Sequence, residues 1–248
     1  MKGDGKMLKM RGININGELH TGTDLDLLFL GYDDEMPEPK TLTEDIIGAN
    51  GITDYTEHAG LLPKFSNRYP VFHFFATGSK NKIASAFEKL SLYHGQTVSV
   101  FADDDPGFYY RGRATVAKVS TGARYAYFDL SLSAFPYKLS RSLTILNFDF
   151  DKKTVFQLLN NIMPVKLTAQ INDVSDPSPS DSAVYAVRFT CGGKTSVVRK
   201  GKTSELNFII GSGSQSFEAV GGRIDSTQFN PYTGYGIKFR LSFREGKF

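Results

Sequence analysis

The sequence predicts a mainly β protein of two domains, with one helix in the first domain and a β-sandwich in the second. Three observations predict this class. The aromatic share of 13% comes from 20 Phe and 12 Tyr without any Trp, and such rings favour strands, where they pack on a pleated face. Short stretches of alternating polarity recur between turn residues along most of the chain. Only one segment has convincing helical periodicity.

The first domain is expected to hold the clearest strands. Its predicted elements are a short strand at 12–16 that enters the Asn16-Gly17 turn, an apolar run at 25–31, an apolar stretch with a tight Asn50-Gly51 turn at 46–51, and strands at 69–76, 97–101, 109–119 and 125–134. Within 125–134 the apolar and polar residues alternate, which predicts one buried and one wetter face. Residues 33–39 carry two prolines and four acidic side chains, so they are expected at an edge or on the surface.

One helix is predicted, over about residues 80–94. Apolar side chains recur there at helical spacing, at Ile83, Phe87 and Leu90. Ser79 or Asn81 can cap its first turn, and Gly95 stands where a helix ends. With a single helix, a (β/α)8 barrel is excluded although 248 residues would suffice for one.

A domain boundary is expected just after Tyr137, which divides the chain into 1–139 and 140–248. Predicted strands of the second domain lie at 165–171, 184–190, 195–200, 205–210 and 235–244, and several short strands at this spacing indicate a sandwich. The last of them is the most regular, with an apolar face formed by Ile237, Phe239, Leu241 and Phe243. Residues 154–162 fit either a short helix capped by Asp151 or a strand, and 173–182 are expected to form a polar loop.

Composition excludes several functional classes. With 29 basic and 26 acidic residues the formal charge is +3, so no large basic field indicates nucleic acid as the main partner. The single Cys191 excludes an internal disulfide framework and a cysteine-based zinc cluster. No stretch approaches the roughly 18 apolar residues of a membrane span, and no signal peptide is recognisable. The sequence predicts a soluble, unprocessed protein made in a reducing cytoplasm.

Each segment that suggests catalytic or metal chemistry has a simpler interpretation. Residues 103–107, three aspartates followed by Pro-Gly, lack the ligand spacing of a calcium loop and are expected to form a turn. The glycines at 211–216 fit a loop between strands better than a phosphate site. Cys191 adjoins two glycines of a predicted hairpin, and neither Asp149 nor Asp151 is marked as an acid. The four histidines have no ligand spacing. We therefore predict no catalytic, cofactor-binding or metal-binding residue, and no enzymatic activity.

Four segments, taken in order, form a pattern that is more specific than any one of them. They are IIGANGITDYTE at 46–57, the stretch from HGQ at 94–96 to DDDPGFYYRGR at 103–113, FDLSLSAFPYK at 128–138, and FREGKF at 243–248. Their order and spacing, with the predicted helix between the first two, resemble the distal tail protein (Dit) family of long-tailed siphophages. The resemblance covers nearly the whole chain, and the departures lie before Met10 and at 173–182 and 211–234.

The resemblance implies both a fold and a role. The first domain would be a β-sandwich with a helix, like a tail-tube ring domain, and six copies would close into a ring. The second domain would be a galectin-like β-sandwich. Such a bacteriophage tail-tip or baseplate hub joins the major tail (tube) protein and the tape measure protein C-terminus to the tail-associated lysin or fibre protein and to receptor-binding proteins. DNA would pass through its central channel. The implied location is the virion, at the distal end of the tail, after synthesis in the host bacterial cytoplasm.

Aromatic side chains supply the candidate contact residues. Ring closure between identical chains buries strand edges and aromatic surface, so core or ring contacts are predicted for Tyr109, Tyr110, Phe135 and Tyr137. The alternative function is a carbohydrate-binding virion protein that contacts the host cell wall through the second domain. Sugar sites usually need an exposed aromatic platform, and in a chain without Trp the candidates are Tyr232 and Tyr235.

Overall fold

Antiparallel strands account for most of the chain, which confirms the predicted mainly β class. The computed structural model describes residues 11–45, 52–54, 64–160, 163–175, 184–211, 213–225 and 228–248. The chain divides into two compact units, Met1–Arg141 with Phe248 and Ser142–Lys247. None of the helices in the described ranges has both the length and the apolar composition needed to cross a membrane.

The first unit is organised around one large sheet. Its elements are β1 (Ile13–Ile15), β2 (Leu19–His20), α1 (Thr21–Leu25), β3 (Leu28–Asp33), β4 (Pro39–Lys40), β5 (Thr43–Asp45), β6 (Ile52–Asp54), β7 (Lys64–Phe65), β8 (Val71–Thr77), α2 (Lys80–Ser91), β9 (Thr97–Ala102), β10 (Phe108–Thr121), β11 (Tyr125–Ala134) and β12 (Lys138–Ser140). Seven strands pair in the order β2-β1-β9-β10-β11-β8-β3, and β12 pairs with the start of β10. Two short pairs, β4–β7 and β5–β6, lie off this path. The predicted Asn50-Gly51 turn lies outside the described residues.

One face of the large sheet forms the core of the first unit. The alternation predicted for β11 is confirmed, since Phe128 and Leu130 are fully buried while Tyr127 on the opposite face is 38% exposed. Helix α2 covers the buried face, and its Phe87 ring lies 5.3 Å from that of Phe128. Because strand residues alternate between faces, every second side chain of β8 and β11 points to the opposite face of the sheet, outside this core.

The helices of the first unit differ from the prediction in number and length. Helix α2 starts as predicted, where the Ser79 hydroxyl accepts a hydrogen bond from the Lys82 amide, but it ends at Ser91 and the chain continues in turns to Gly95. The sequence predicts one helix, and the structure adds α1, whose first turn is capped by the His20 ring accepting from the Thr23 amide at 3.1 Å. A helix of five residues is too short to show a periodic pattern.

The second unit is a sandwich of two antiparallel sheets. The strands of these sheets are β13 (Thr144–Phe150), β14 (Thr154–Asn160), β15 (Val165–Ser175), β16 (Val184–Cys191), β17 (Lys194–Arg199), β18 (Thr203–Ile210), β19 (Gly213–Asp225), β20 (Gln228–Pro231) and β21 (Gly236–Phe243), and the short strand β22 (Gly246–Lys247) follows them in the chain. One sheet has the order β13-β21-β15-β18, and the other has the order β14-β19-β16-β17 with β20 beside β19. Most of the polar loop predicted at 173–182 lies outside the described residues, while 173–175 extend β15.

Aromatic rings connect the two sheets of the sandwich. Phe239 of β21 is fully buried, and its ring lies 5.0 Å from Phe189 of β16 and 5.8 Å from Phe156 of β14. The Phe156 and Phe217 rings stack at 5.3 Å within the second sheet. The four apolar residues predicted on one face of β21 are all buried, which confirms that alternation.

Two segments of the second unit, 154–160 and 211–216, settle an open prediction and correct another. Residues 154–160 are strand β14, so the helix alternative is excluded. The loop predicted at 211–216 is wrong for residues 213–216, because β19 begins at Gly213 and runs for 13 residues between β14 and β16 in its sheet. A Cβ on Gly221 would come within 2.8 Å of the Tyr235 Cβ, and one on Gly222 would overlap the Asn230 carbonyl oxygen. The close approach of Asn230 and Tyr235 therefore explains why two glycines stand inside this strand.

Phe239→Ala tests the role of the ring cluster in the sandwich. Removing a buried ring leaves a cavity between the sheets, so we expect a loss of about 3–5 kcal/mol of unfolding free energy. Urea unfolding followed by circular dichroism measures it. Val155→Ala, at a position that is 62% exposed on β14, is the control and should change stability by less than about 0.5 kcal/mol. Equal effects of the two substitutions would contradict the assignment.

Candidate assembly surface

The structure separates the groups that suggested catalytic or metal chemistry. The three aspartates at 103–105 lie in the turn between β9 and β10, and each contacts a different side chain. Asp103 Oδ2 is 3.0 Å from His20 Nε2, Asp104 pairs with Arg11, and Asp105 Oδ2 is 3.7 Å from Lys138 Nζ. In the described ranges no group of three or more His, Cys, Asp or Glu side chains is placed to hold a metal ion. The segment is an ion-paired turn.

Cys191 and the carboxylates of the second unit also occupy structural positions. Cys191 ends β16 opposite Lys194, which confirms the predicted hairpin, and burial raises the pKa of its thiol. Asp149 forms an ion pair with Lys238 at 3.0 Å. Together with Asp151 these two side chains line a polar cavity of about 500 Å³.

The four predicted core or ring-contact residues have different environments. Tyr110 and Tyr137 are 2% and 5% exposed, so they belong to the core of the first unit. Tyr109 is half-buried, with its ring 5.0 Å from that of Phe101. Phe135 is 49% exposed beside Tyr137, with ring centroids 5.7 Å apart. Phe135 is exposed and Tyr109 only in part, and a role of either in contacts between subunits stays a prediction.

A buried carboxylate, Asp34, joins three side chains from distant parts of the first unit. Its Oδ1 is 2.8 Å from Arg68 Nε, its Oδ2 is 3.0 Å from Lys138 Nζ, and the Tyr110 hydroxyl donates to Oδ2 at 2.5 Å. The Arg68 side chain is 2% exposed, and those of Asp34 and Lys138 are 11% exposed. Charges this deep are stable only when paired. We call Asp34, Arg68, Tyr110 and Lys138 the Asp34 cluster.

The segment 33–39 lies at an edge, as predicted, because it follows β3, the last strand in the sheet order, but the Asp34 cluster shows that one of its acidic side chains turns inward. Asp34 and Pro37 are withdrawn from solvent, whereas Glu35, Met36 and Glu38 are exposed. Burial, reinforced by the hydrogen bond to Asp34, raises the pKa of Tyr110 far above its usual range, so its hydroxyl remains a donor. Sequence reasoning missed Asp34, Arg68 and Lys138, because no local pattern connects positions so far apart in the chain.

The outer face of the large sheet carries an exposed apolar patch. We call Leu28, Phe75, Tyr125 and Tyr127 the aromatic face. Leu28 and Tyr127 flank Phe75 on neighbouring strands, and the Phe75 ring lies 4.9 Å from Tyr127 and 6.3 Å from Tyr125. Leu28 and Tyr125 are 51% and 45% exposed. Contiguous apolar surface of this kind marks interaction sites in soluble proteins.

A histidine between two carboxylates lies beside the aromatic face. His73 Nδ1 is 2.8 Å from Asp129 Oδ1, and its Nε2 is 3.2 Å from Asp33 Oδ2. These residues stand on β8, β11 and β3, so the contacts cross three neighbouring strands. The protonated ring can donate to both carboxylates, whereas the neutral ring has one N–H. The hydrogen bond to Asp129 is the main cause that raises the pKa of His73 above 6.5.

The two predicted sugar-contact residues are not equivalent. Tyr235 is 4% exposed and its ring packs 4.6 Å from Tyr232 and 6.1 Å from Tyr185, so no ring face is open to a ligand. Tyr232 is 50% exposed. Of the pair, therefore, Tyr232 is left to carry the predicted carbohydrate contact, which stays a prediction.

Asp34→Asn tests the Asp34 cluster. The substitution leaves the buried Arg68 guanidinium without a carboxylate, so we expect a loss of about 3–5 kcal/mol of unfolding free energy. Chemical denaturation followed by circular dichroism measures it. The control is Glu35→Gln at the next, exposed position, which should cost less than about 0.5 kcal/mol. A mild effect at both positions would mean that the cluster contributes little to stability.

His73→Gln tests the cross-strand histidine. Because its pKa is raised in the folded state, its contribution to stability is complete below about pH 6.5 and is lost as the pH rises through the folded pKa. We expect the variant to be destabilised more at about pH 5.5 than at about pH 8.5, by less than about 1 kcal/mol since the group is partly exposed. Asp129→Asn should reduce the same pH dependence, while Asp33 still raises the pKa of His73 in part. A difference that is constant with pH would contradict this assignment.

Comparison with known proteins identifies the fold. No family model and no curated protein matches the chain. Among solved structures the chain is similar to the Dit protein of phage SPP1, with a TM-score of 0.53 and 15% sequence identity, over 96% of this chain and 99% of that one. That protein is described as a paradigm of the hub adsorption apparatus in phages that infect Gram-positive bacteria. The resemblance predicted from the four segments is thus confirmed at the level of the fold, and the chain has a Dit-like fold.

Proposed function

We propose that this protein is a structural hub and adaptor of a bacteriophage tail tip or baseplate. Six copies form a ring that joins the tail tube to the tail-associated lysin or fibre and to the receptor-binding apparatus, and DNA passes through the central channel. The protein works by assembly at the distal end of the tail and catalyses no reaction. The observation that carries the proposal is the similarity to SPP1 Dit over nearly the full length of both chains.

The aromatic face supports a role in assembly. Leu28, Tyr125 and Tyr127 are 38–51% exposed and Phe75 is half-buried, on a sheet whose opposite face forms the core of the first unit. Burying aromatic side chains between subunits removes apolar area from water, and such residues are over-represented among those that dominate binding energy. A tail-tip hub needs surfaces of this kind for its neighbours in the virion. The second unit contributes further surface but no comparable cluster of exposed rings in the part that the structure describes.

The mass and rotational symmetry of the purified full-length chain test the proposal directly. We expect particles of six times the 27.5 kDa chain mass with sixfold symmetry in negative stain, formed at high concentration or on addition of the tail tube protein from the same virion. A chain that stays monomeric under both conditions, or one that turns over a substrate, would overturn the proposed function.

The double substitution of Tyr125 and Tyr127 to Ser tests the aromatic face. Losing two rings from an interface should weaken self-association or binding to the tube protein at least about tenfold in Kd. Sedimentation velocity and pull-down with the tube protein measure the two interactions. Tyr232→Ser, which removes a tyrosine of similar exposure from the second unit, is the control and should assemble like the wild type. If the double variant also assembles normally, the aromatic face is not an assembly surface.

A further inference from the structure

An acidic loop on the surface of the first unit has its backbone held by hydrogen bonds. Glu35, Met36 and Glu38 form this acidic loop, and the Met36 side chain is 68% exposed. The loop backbone is held from beneath, since the Glu35 carbonyl accepts from Arg68 Nε at 3.3 Å and the Glu38 carbonyl accepts from the Ser66 amide at 2.8 Å. Within the described residues neither glutamate has an ion-pair partner. In the described part of the chain, an exposed apolar side chain thus stands between two carboxylates that form no ion pair there.

A groove that carries a basic side chain lies near the acidic loop on the same unit. It has a volume of about 390 Å³ and is lined by Asn67, Arg111, Ser133, Ala134, Phe135 and Leu139. We call it the Arg111 groove. Its walls are held by two hydrogen bonds, one from the Phe135 amide to the Arg111 carbonyl at 2.9 Å and one from the Asn67 amide nitrogen to the Ser133 hydroxyl at 3.0 Å. The exposed Arg111 guanidinium pairs with no carboxylate in the described ranges, and Phe135 supplies a half-exposed ring.

We propose that the Arg111 groove receives the acidic loop of a second copy of this chain. A methionine fits irregular apolar space and contacts aromatic rings favourably, so Met36 would pack on Phe135. A glutamate beside it would reach Arg111, whose planar guanidinium can bind a carboxylate through two hydrogen bonds. The charges of loop and groove are complementary, and hydrogen bonds hold the backbone of both before they meet, so the ordering cost of binding falls mainly on the contacting side chains.

The position of the two features indicates a reciprocal contact. Asn67 lines the Arg111 groove and also the cavity beneath the acidic loop, so loop and groove are neighbours on one copy. Two copies related by a twofold rotation would therefore exchange loops and form both contacts at once. This pairing differs from the ring closure proposed above, which requires a contact that repeats in one direction. It goes beyond the proposed function.

Charge reversal in two separate variants tests the pairing. One variant is Arg111→Glu, and the other carries Glu35→Lys with Glu38→Lys. Each places like charges at both contacts, so each should pair at least tenfold more weakly than the wild type in sedimentation equilibrium. A mixture of the two allows a mixed pair in which one contact is the wild-type one and the other has its charges exchanged, so the mixture should pair at least threefold more tightly than either variant alone. Met36→Ser, which changes no charge, should also weaken pairing of the otherwise wild-type chain.

Controls separate this contact from loss of folding and from the ring. Arg113 lies on the same face of the same strand as Arg111, so the Arg113→Glu variant should pair like the wild type. Circular dichroism checks that each variant is folded. Wild-type pairing that no charge reversal alters, or a mixture no tighter than its components, overturns the proposal. If the chain forms rings of six and the variants do not change pairing, the contact between loop and groove is contradicted but the proposed hub is not. Pairing that behaves as expected without rings would contradict the proposed hub instead.

Discussion

The first unit depends on a buried carboxylate that has to be paired with buried cations. Asp34 lies between Arg68 and Lys138, each of which would be costly to bury alone. Arg68 extends the same network, because its Nη1 donates to the Pro136 carbonyl at 3.4 Å and its backbone pairs with Ala134. The chain before β4 and the chain between β11 and β12 are thereby fixed by the same few atoms. The shapes of the acidic loop and the Arg111 groove follow from this one arrangement.

The two units use charge in different ways. In the second unit the ion pairs stand on the solvent side of the sheets, where Lys166 and Glu205 meet at 2.7 Å with side chains that are more than half exposed. Such pairs contribute little to stability, and the sandwich depends on the buried phenylalanine rings that connect its sheets. In the first unit the cluster is buried and its members come from four separate segments. Its contribution is to select one arrangement of loops over others, while the apolar core supplies the general driving force.

Regular alternation made part of the fold predictable from the sequence. The bounds of β11 and the buried faces of β11 and β21 follow from side chains that change face at every residue. Strand β19 was missed because its serines and glycines lack an apolar period, and the need for Gly221 and Gly222 is apparent only when Asn230 and Tyr235 are in place. The Asp34 cluster could not be predicted either, because its contacts join positions that are far apart in the sequence. Tyr110 and Asp34 are 76 residues apart, and which acidic residue of 33–38 turns inward is decided by tertiary contacts.

The β10–β11 hairpin has a mechanical consequence. Its strands pair from Gly112 opposite Ala134 to Thr121 opposite Ala126, with one irregularity near Val119. The hydrogen bonds of an antiparallel pair lie perpendicular to the strands. Tension along the strands shears all of these bonds together, whereas a force that separates the strands at one end peels them apart one after another. The hairpin is therefore stiff against load along its length and weak against peeling, so the direction of pull decides how much force the first unit withstands.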